Sequence, residues 1–530
     1  MPHEFNMPDS LLIEPDSINK NYIDSSDISR FFLEFPRLKK QEDRVLKFYE
    51  KRNFQYAWFD NHGLIEQAHL FVNLAANYNA EGVDDTIVYD TLLSRWHEYY
   101  DDSTVIIDSF SAKMELMLTS QFFQYAQRIW GGISEKQSRD LDWYIKRKRL
   151  PYVTMLDSML INPNFFAEQT PVFKQYDSLK NWLQYYQSIE AVAKWDSIFP
   201  EKKKYQNGDT SKVILQIRKR LYWLRDLPAE DTAGNRFDSA LVDAVKKFQQ
   251  THGLADDGAI GPQTIDRLNI PLANRIEEIM INMERCRWVP IQPHDEYITV
   301  NIPEYLMRVY DHDTLAWSCN VVVGETTRQT VIFNGNLRYV VFSPYWVIPP
   351  GILQNEILPA CRKDPNYIHK QNMEVVEAGG AIVDPKDIDW RKYSAKNFPY
   401  KIRQKPGASN SLGKVKFLFP NEYDIYLHDT PAKGLFSRNK RNFSHGCIRV
   451  SEPMKLSEFL LRTDSSWTED RIKAAMNAGK EQYVTLKKPV PVFIGYLTCF
   501  VDSKGRLNFR DDVYGHDKRL AETLFTNPSL

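Results

Sequence analysis

Cys447 lies in the run Phe443-Ser444-His445-Gly446-Cys447-Ile448-Arg449-Val450, and His428 closes the run Ile425-Tyr426-Leu427-His428, just before Asp429-Thr430-Pro431. A thiol is a strong nucleophile once it gives up its proton, and an imidazole is the side chain that takes a proton near neutral pH. The combination points to acyl transfer through a thioester. Two histidines compete for the role of base. His428 ends an apolar strand, where a rigid sheet edge can aim its ring at Cys447 and set up a thiolate–imidazolium pair. His445 is two residues from Cys447 and, on a strand, shares its face. Gly446 gives the backbone room for a tight turn and an incoming carbonyl. The N–H groups around Cys447 can form an oxyanion hole. Arg449 adds a fixed cation, suited to a substrate carboxylate or to tuning the thiolate. His428, His445 and Cys447 also offer three zinc ligands, but their spacing is atypical and no fourth group is close in sequence. Singly, these residues say little, since a lone cysteine is most often a small buried hydrophobe.

Such side chains need a sheet to hold them. The runs 297–302, 317–324, 339–342, 414–419 and 423–428 alternate or stay apolar as strands do, and Asn334-Gly335 fits a tight turn. The interruption at about 353–400 carries Asp364-Pro365-Asn366, Gly379-Gly380 and Asp384-Pro385. It is too long for an ordinary connection and reads as a semi-ordered lid. Upstream, residues 27–208 repeat apolar residues at three- and four-residue spacing, as in 71–76 and 114–119, and hold no cluster of acid, base and nucleophile. Asn61-His62-Gly63 and Asn162-Pro163-Asn164 mark connections between the helices.

Residues 209–270 read as a separate module of three short helices. Val213, Ile214, Ile217, Leu221 and Leu224 give one apolar face, and Ala240, Ala244, Val245 and Phe248 give a second. Pro262 opens the third helix. A helix at 271–287 then leads out of the module and completes the scaffold. The expected fold is multidomain: a mostly α scaffold (27–208), a small α module (209–270), a β-rich, β-sandwich-like catalytic domain (288–500) with a lid insertion, and a C-terminal extension (501–530).

The pattern F-Q-x-x-x-G-L at 248–254, followed by D-G-x-I-G-P-x-T at 257–264, resembles the peptidoglycan-binding type 1 domain. His428, then fifteen residues, then S-H-G-C-x-R resembles the YkuD-type catalytic domain of L,D-transpeptidases. The segments 284–290, 344–349, 403–407 and 410–413 extend the likeness to the large three-part branch of that family. Cys286 departs from it, standing where that branch has an aromatic. The resemblance implies Cys447 as nucleophile and His428 as general acid and base, with Ser444, His445 and Gly446 as the surrounding turn and Arg449 steadying the site. Tyr426, Trp346 and Asp429 would line the donor groove. A backbone carbonyl, Ser444 or Asp429 would orient His428. It further implies 3→3 cross-linking of peptidoglycan tetrapeptide stems with release of D-alanine, no cofactor, inhibition by carbapenems, and wall or membrane-associated synthesis proteins as partners. Hydrolysis of the same stems by a cysteine peptidase or amidase, and a non-catalytic wall-binding scaffold, are the alternatives.

Composition narrows the classes further. A net charge of −1 gives no field to gather nucleic acid or an anionic membrane. No run of about 18 apolar residues exists to form a membrane span. The five cysteines are scattered without a C-x-x-C pair, which points away from a disulfide framework or zinc ribbon. Met1-Pro2-His3-Glu4-Phe5-Asn6 has neither a basic start nor an apolar core, so no export signal is visible, while the resemblance places the activity in the periplasm or cell envelope.

Overall fold

The helix Ser111–Ala126 is buried along nearly its whole length, so other elements must surround it. In the computed structural model it is packed by the helices Ser25–Glu34, Glu42–Lys51, Glu66–Tyr78, Asp90–Asp101 and Tyr152–Ile161. The structure describes residues 21–60, 62–78, 89–101, 110–147, 150–162, 173–290, 295–364 and 366–526. The readings placed on Met1–Asn6, Asn61, Pro163, Asn164 and Pro365 lie outside them.

One carboxylate sits in the middle of this helical core. Glu115 accepts hydrogen bonds from the Tyr49 hydroxyl at 2.9 Å and the Trp58 N–H at 3.0 Å, and also from the Ala57 N–H. It thereby holds the segment after the second helix against the central one. Burial pushes its carboxyl up to about 7, against the pull of these donors. The folded state therefore keeps a proton that the unfolded chain has lost above about 4.5. Its contribution is full at low pH and is lost as pH rises from about 4.5 through 7, a change of about 3 kcal/mol. Glu115→Gln is expected to flatten this dependence, at the cost of turning an amide NH2 onto one of these donors. Glu115→Ala is expected to cost about 2–4 kcal/mol by orphaning the three donors. Calorimetric melts between pH 5 and 8 check both.

The helix Leu272–Trp288 joins two cores. Leu272, Ile279, Met283 and Cys286 enter the scaffold core, whereas Ile281 and Trp288 enter the core of the β domain. Cys286 is fully buried there. The stretch read as a C-terminal extension is stitched into the same junction. Val501, Leu507 and Phe509 pack in the scaffold core beside Cys499, and Leu520 of the helix His516–Phe525 packs in the β core. Arg285 Nη1 bridges Asp517 Oδ1 at 2.5 Å.

The module keeps its own core, built from the helices Lys212–Trp223, Ser239–Thr251 and Pro262–Leu268. Ser211 and Asp238 cap the first two, and Pro262 starts the third. The reason for Gln in F-Q-x-x-x-G-L is visible. Its amide accepts from the Gly258 N–H and donates to the Ala259 carbonyl, both at 2.9 Å, and so pins the Asp-Gly turn. Gly258 has φ +71°, which favours glycine.

The β domain is one nine-stranded mixed sheet. Its strands are β1 (Tyr297–Asn301), β2 (Leu306–Asp311), β3 (Thr314–Gly324), β4 (Asn334–Phe342), β5 (Val415–Leu418), β6 (Leu427–His428), β7 (Asn442–Ser444), β8 (Ile448–Val450) and β9 (Gln482–Gly495). They are ordered β7-β3-β8-β6-β5-β4-β9-β1-β2, and β2 also pairs with β3. The sandwich-like expectation is thus met by a single sheet that closes on itself around Val300, Val321, Leu337, Val340, Phe417 and Ile448. The short central strands β6 and β8 are parallel, with Leu427 opposite Ile448 and His428 opposite Arg449.

The insertion differs from the semi-ordered flap that its turn residues imply. Between β4 and β5 the chain builds a four-stranded sheet from Trp346–Val347, Met373–Val376, Ile382–Val383 and Lys401–Gln404. Leu358, Cys361, Ile368 and Val375 form its fully buried centre, with Trp390 beside them. The Gly and Pro residues shape the connections of a small folded unit.

Candidate active site

Alternation along two short strands sorts the chemistry from the core. Leu427, Ile448 and Val450 are fully buried inside the sheet. Tyr426, His428, Cys447 and Arg449 fall on the opposite face, and the parallel register sets Tyr426 beside Cys447 and His428 beside Arg449. Of the candidates read from the sequence, these four are gathered at one place.

The turn before Cys447 is fixed by hydrogen bonds. The Ser444 hydroxyl donates to the Cys447 carbonyl at 2.5 Å and accepts from the Gly446 N–H at 3.2 Å. The Thr330 hydroxyl donates to the Gly446 carbonyl at 2.7 Å, and the Glu325 N–H donates to the Ser444 carbonyl at 2.9 Å. Gly446 has φ +116°, a conformation that side chains with a Cβ rarely adopt. Its N–H is spent on Ser444. The Cys447 N–H makes no hydrogen bond among the described residues and is the amide left for an oxyanion. Ser444 therefore shapes the turn and does not orient His428.

His428 is buried, and its Nδ1 lies 2.5 Å from the Asp429 carbonyl. A carbonyl only accepts, so Nδ1 carries the proton and Nε2 is free to receive one. Of the three groups weighed for orienting this ring, the backbone carbonyl does it. The Asp429 carboxylate points elsewhere. It accepts from the Lys414 N–H at 2.9 Å, pairs with Lys433, and packs against Gly413. The expectation that Asp429 lines the donor groove is corrected accordingly: its side chain is a buried brace between β5 and the segment after β6.

Cys447 is the one cysteine among the described residues that is partly exposed, and its thiol faces the Asp424 carbonyl at 3.5 Å. Burial pushes the thiol up to about 11, against the N–H and hydroxyl of Tyr426 and the more distant Arg449. Burial, then the Arg449 charge, drives the His428 imidazole down to about 3. Both groups are neutral at pH 7. Burial thus favours a neutral thiol and a neutral imidazole over the thiolate–imidazolium pair expected from the sequence.

The insertion reaches this site at two points. Trp346, from its first strand, meets the Tyr426 hydroxyl, which also faces the Cys447 thiol. The Tyr426 and His428 rings lie 5.7 Å apart. Glu356 reaches over to His445, 3.0 Å from Nε2, and to Arg328 at 3.5 Å. His445 thus serves as a contact to the insertion. Glu356, Arg328 and Thr330 carried no signal in the sequence, because Glu356 and Thr330 meet the site through contacts more than 80 residues away and Arg328 meets it only through Glu356. Among the described residues, no group of three or more His, Cys, Asp or Glu is arranged to hold a metal ion. No helix among them is long and apolar enough to cross a membrane.

Comparison with known proteins shows what parts of the chain resemble. Residues 295–481 match the L,D-transpeptidase catalytic domain, YkuD. Residues 43–183 match a family described as "Scaffold domain", and residues 210–268 match one described as "Putative peptidoglycan binding domain". A Haemophilus influenzae protein named "Putative L,D-transpeptidase" is 35% identical over 272 residues, which is 50% of this chain and 54% of that protein. The chain thus spans about half the length of that curated relative. Among solved structures, an L,D-transpeptidase from Stackebrandtia nassauensis shares 12% identity and a TM-score of 0.22, covering 56% of this chain and 98% of its own. One from Xylanimonas cellulosilytica shares 14% identity and a TM-score of 0.19, covering 56% of this chain and 100% of its own. The chain thus carries a stretch similar to the L,D-transpeptidase catalytic domain, preceded by one similar to a peptidoglycan-binding domain.

Proposed function

We propose that this chain forms 3→3 peptidoglycan cross-links through a thioester on Cys447. The observation that carries the reading is the partly exposed thiol of Cys447 on the same sheet face as a buried, neutral, carbonyl-oriented His428. Cys447 Sγ attacks the carbonyl of the third residue, diaminopimelate, in a tetrapeptide stem. His428 Nε2 takes the thiol proton as the S–C bond forms. The Cys447 N–H steadies the oxyanion. The C–N bond to the terminal D-alanine then breaks, and His428 returns the proton to the departing amine. The side-chain amine of a second stem next attacks the thioester. It loses its proton to His428, and sulfur leaves and is reprotonated. Every proton taken is given back, so no cofactor enters.

Carbapenems acylate the same thiol in this reading, since a strained lactam carbonyl presents the same electrophile. The module holds the glycan near the site, and the work is done in the periplasm, where the stems lie. The insertion acts as a lid through the Glu356 contact to His445 and Arg328, keeping water from the thioester while an amine arrives.

Intact-mass analysis after incubation with a tetrapeptide stem tests the thioester, and product analysis with an added amine acceptor separates transfer from hydrolysis. A chain that releases D-alanine but never joins the acceptor is a peptidase, the second reading. Glu356→Gln tests the lid. Losing an exposed pair worth at most about 1 kcal/mol should raise hydrolysis relative to cross-linking about 2- to 5-fold, with acylation by a small β-lactam unchanged. An unaltered product ratio would count against gating.

A further inference from the structure

Arg449 is the anomaly in the charge pattern of this molecule. The well-buried guanidinium groups are engaged. Arg218 pairs with Asp238, Arg285 with Asp517 and Arg287 with Glu284, while Arg220 donates to the Leu268 and Asp196 carbonyls. The Arg449 guanidinium makes no hydrogen bond or ion pair among the described residues, and its Nε is buried without a partner. The group is half-buried, with Nε cut off from water and no partner found, which leaves the fork open to an anion. Here it stands on β8 two residues past the nucleophile, about 7 Å along the strand and on the same face.

Its place relative to His428 says which anion fits. The register sets Arg449 directly opposite His428. In the acyl-transfer reading, on which this inference rests, His428 must reach the leaving amine to protonate it. The α-carboxylate of the leaving residue is one carbon from that amine. It therefore falls on the His428–Arg449 side of Cys447, within reach of a long, forked donor. We propose that Arg449 binds the free α-carboxylate of the departing C-terminal residue, and so makes the site read the end of the stem. A donor whose last residue is amidated or extended by another residue presents no anion at that point. Arg449 is then the residue that selects a stem ending one residue past the scissile bond.

The test compares two donors on the full chain: the tetrapeptide with a free C-terminus and the same peptide as its C-terminal carboxamide. Single-turnover acylation is followed by intact mass for wild type, Arg449→Gln and Arg449→Lys, with melting temperatures recorded alongside. Wild type is expected to favour the acid by about 10- to 100-fold, the value of one charge-assisted contact. Arg449→Gln should collapse the acid-to-amide rate ratio toward one, whatever it does to the two rates together, and Arg449→Lys should restore part of the preference. Equal slowing of both donors in Arg449→Gln would overturn the assignment in favour of an oxyanion or structural role. So would a wild type indifferent to the amide, a comparison that stands even where the Gln variant does not fold. No adduct on wild type with either donor would instead overturn the acyl-transfer reading beneath it.

Discussion

Replacing Cys447 by alanine is expected to abolish the covalent adduct with a tetrapeptide stem or a carbapenem, while Cys319→Ala and Cys499→Ala should retain it. This is the largest effect expected of any single change, because it removes the atom that forms the bond. The other four cysteines are held where a substrate cannot come. Cys286 and Cys499 are fully buried in the scaffold core, Cys361 lies at the centre of the insertion, and Cys319 is buried in the sheet core. Burial pushes the thiols of Cys286 and Cys361 up to about 12 and that of Cys499 well above the ordinary range. At neutral pH these are small hydrophobes, not nucleophiles. Cys447 is neutral too, but it is partly exposed and has His428 across the strand pair. Intact mass of the three variants after the same incubation decides the point. A persistent adduct on the Cys447→Ala chain would place the chemistry elsewhere.

Much of this site was legible in the sequence because its chemistry is local. Ser444, His445, Gly446, Cys447 and Arg449 lie in one short run, and strand alternation alone puts Cys447 and Arg449 on one face and Ile448 and Val450 on the other. The module was legible for the same reason. Gln249 and Gly258 are nine residues apart and bond directly to each other. What the sequence hid was made by distance. Nothing near Glu356 announces that it meets His445, 89 residues on. Turn residues in the insertion look the same whether they link strands of a folded unit or lie in a loose flap, and only the mutual burial of Leu358, Ile368 and Val375 separates the two. The carboxylate of Asp429 reads as a site group until the chain folds it against Gly413 and Lys414. The protonation states were hidden most completely. A cysteine and a histidine written near one another suggest an ion pair, but burial of both groups favours their neutral forms, and burial is a property of the whole sheet.

His428→Ala is expected to slow acylation of Cys447 by about two to four orders of magnitude, the usual share of a positioned general base. His445→Ala should cost far less, since the His445 ring is occupied with Glu356 and only the insertion contact is lost. Damage in the opposite order would mean that the base is misassigned. The pH dependence adds a second check that packing loss alone does not reproduce. The base must be unprotonated, and with the imidazole held down to about 3 it is unprotonated throughout the neutral range. The thiol, pushed up to about 11, stays protonated there. Acylation by the stem should therefore run level from pH 5 to 9, with no break near 6.5. Alkylation by a small reagent, which needs the thiolate itself, should climb about tenfold per pH unit over the same span. A thiolate–imidazolium pair would give the reverse pattern, with alkylation already fast and flat at pH 6. The same shift carries a stability sign. The folded chain holds His428 neutral while the unfolded chain protonates it below about 6.5, so its contribution is full above that pH and is lost as pH falls toward 3. The His428→Ala chain should accordingly lose less stability than wild type between pH 7 and 4, a difference that melts at the two pH values would read directly.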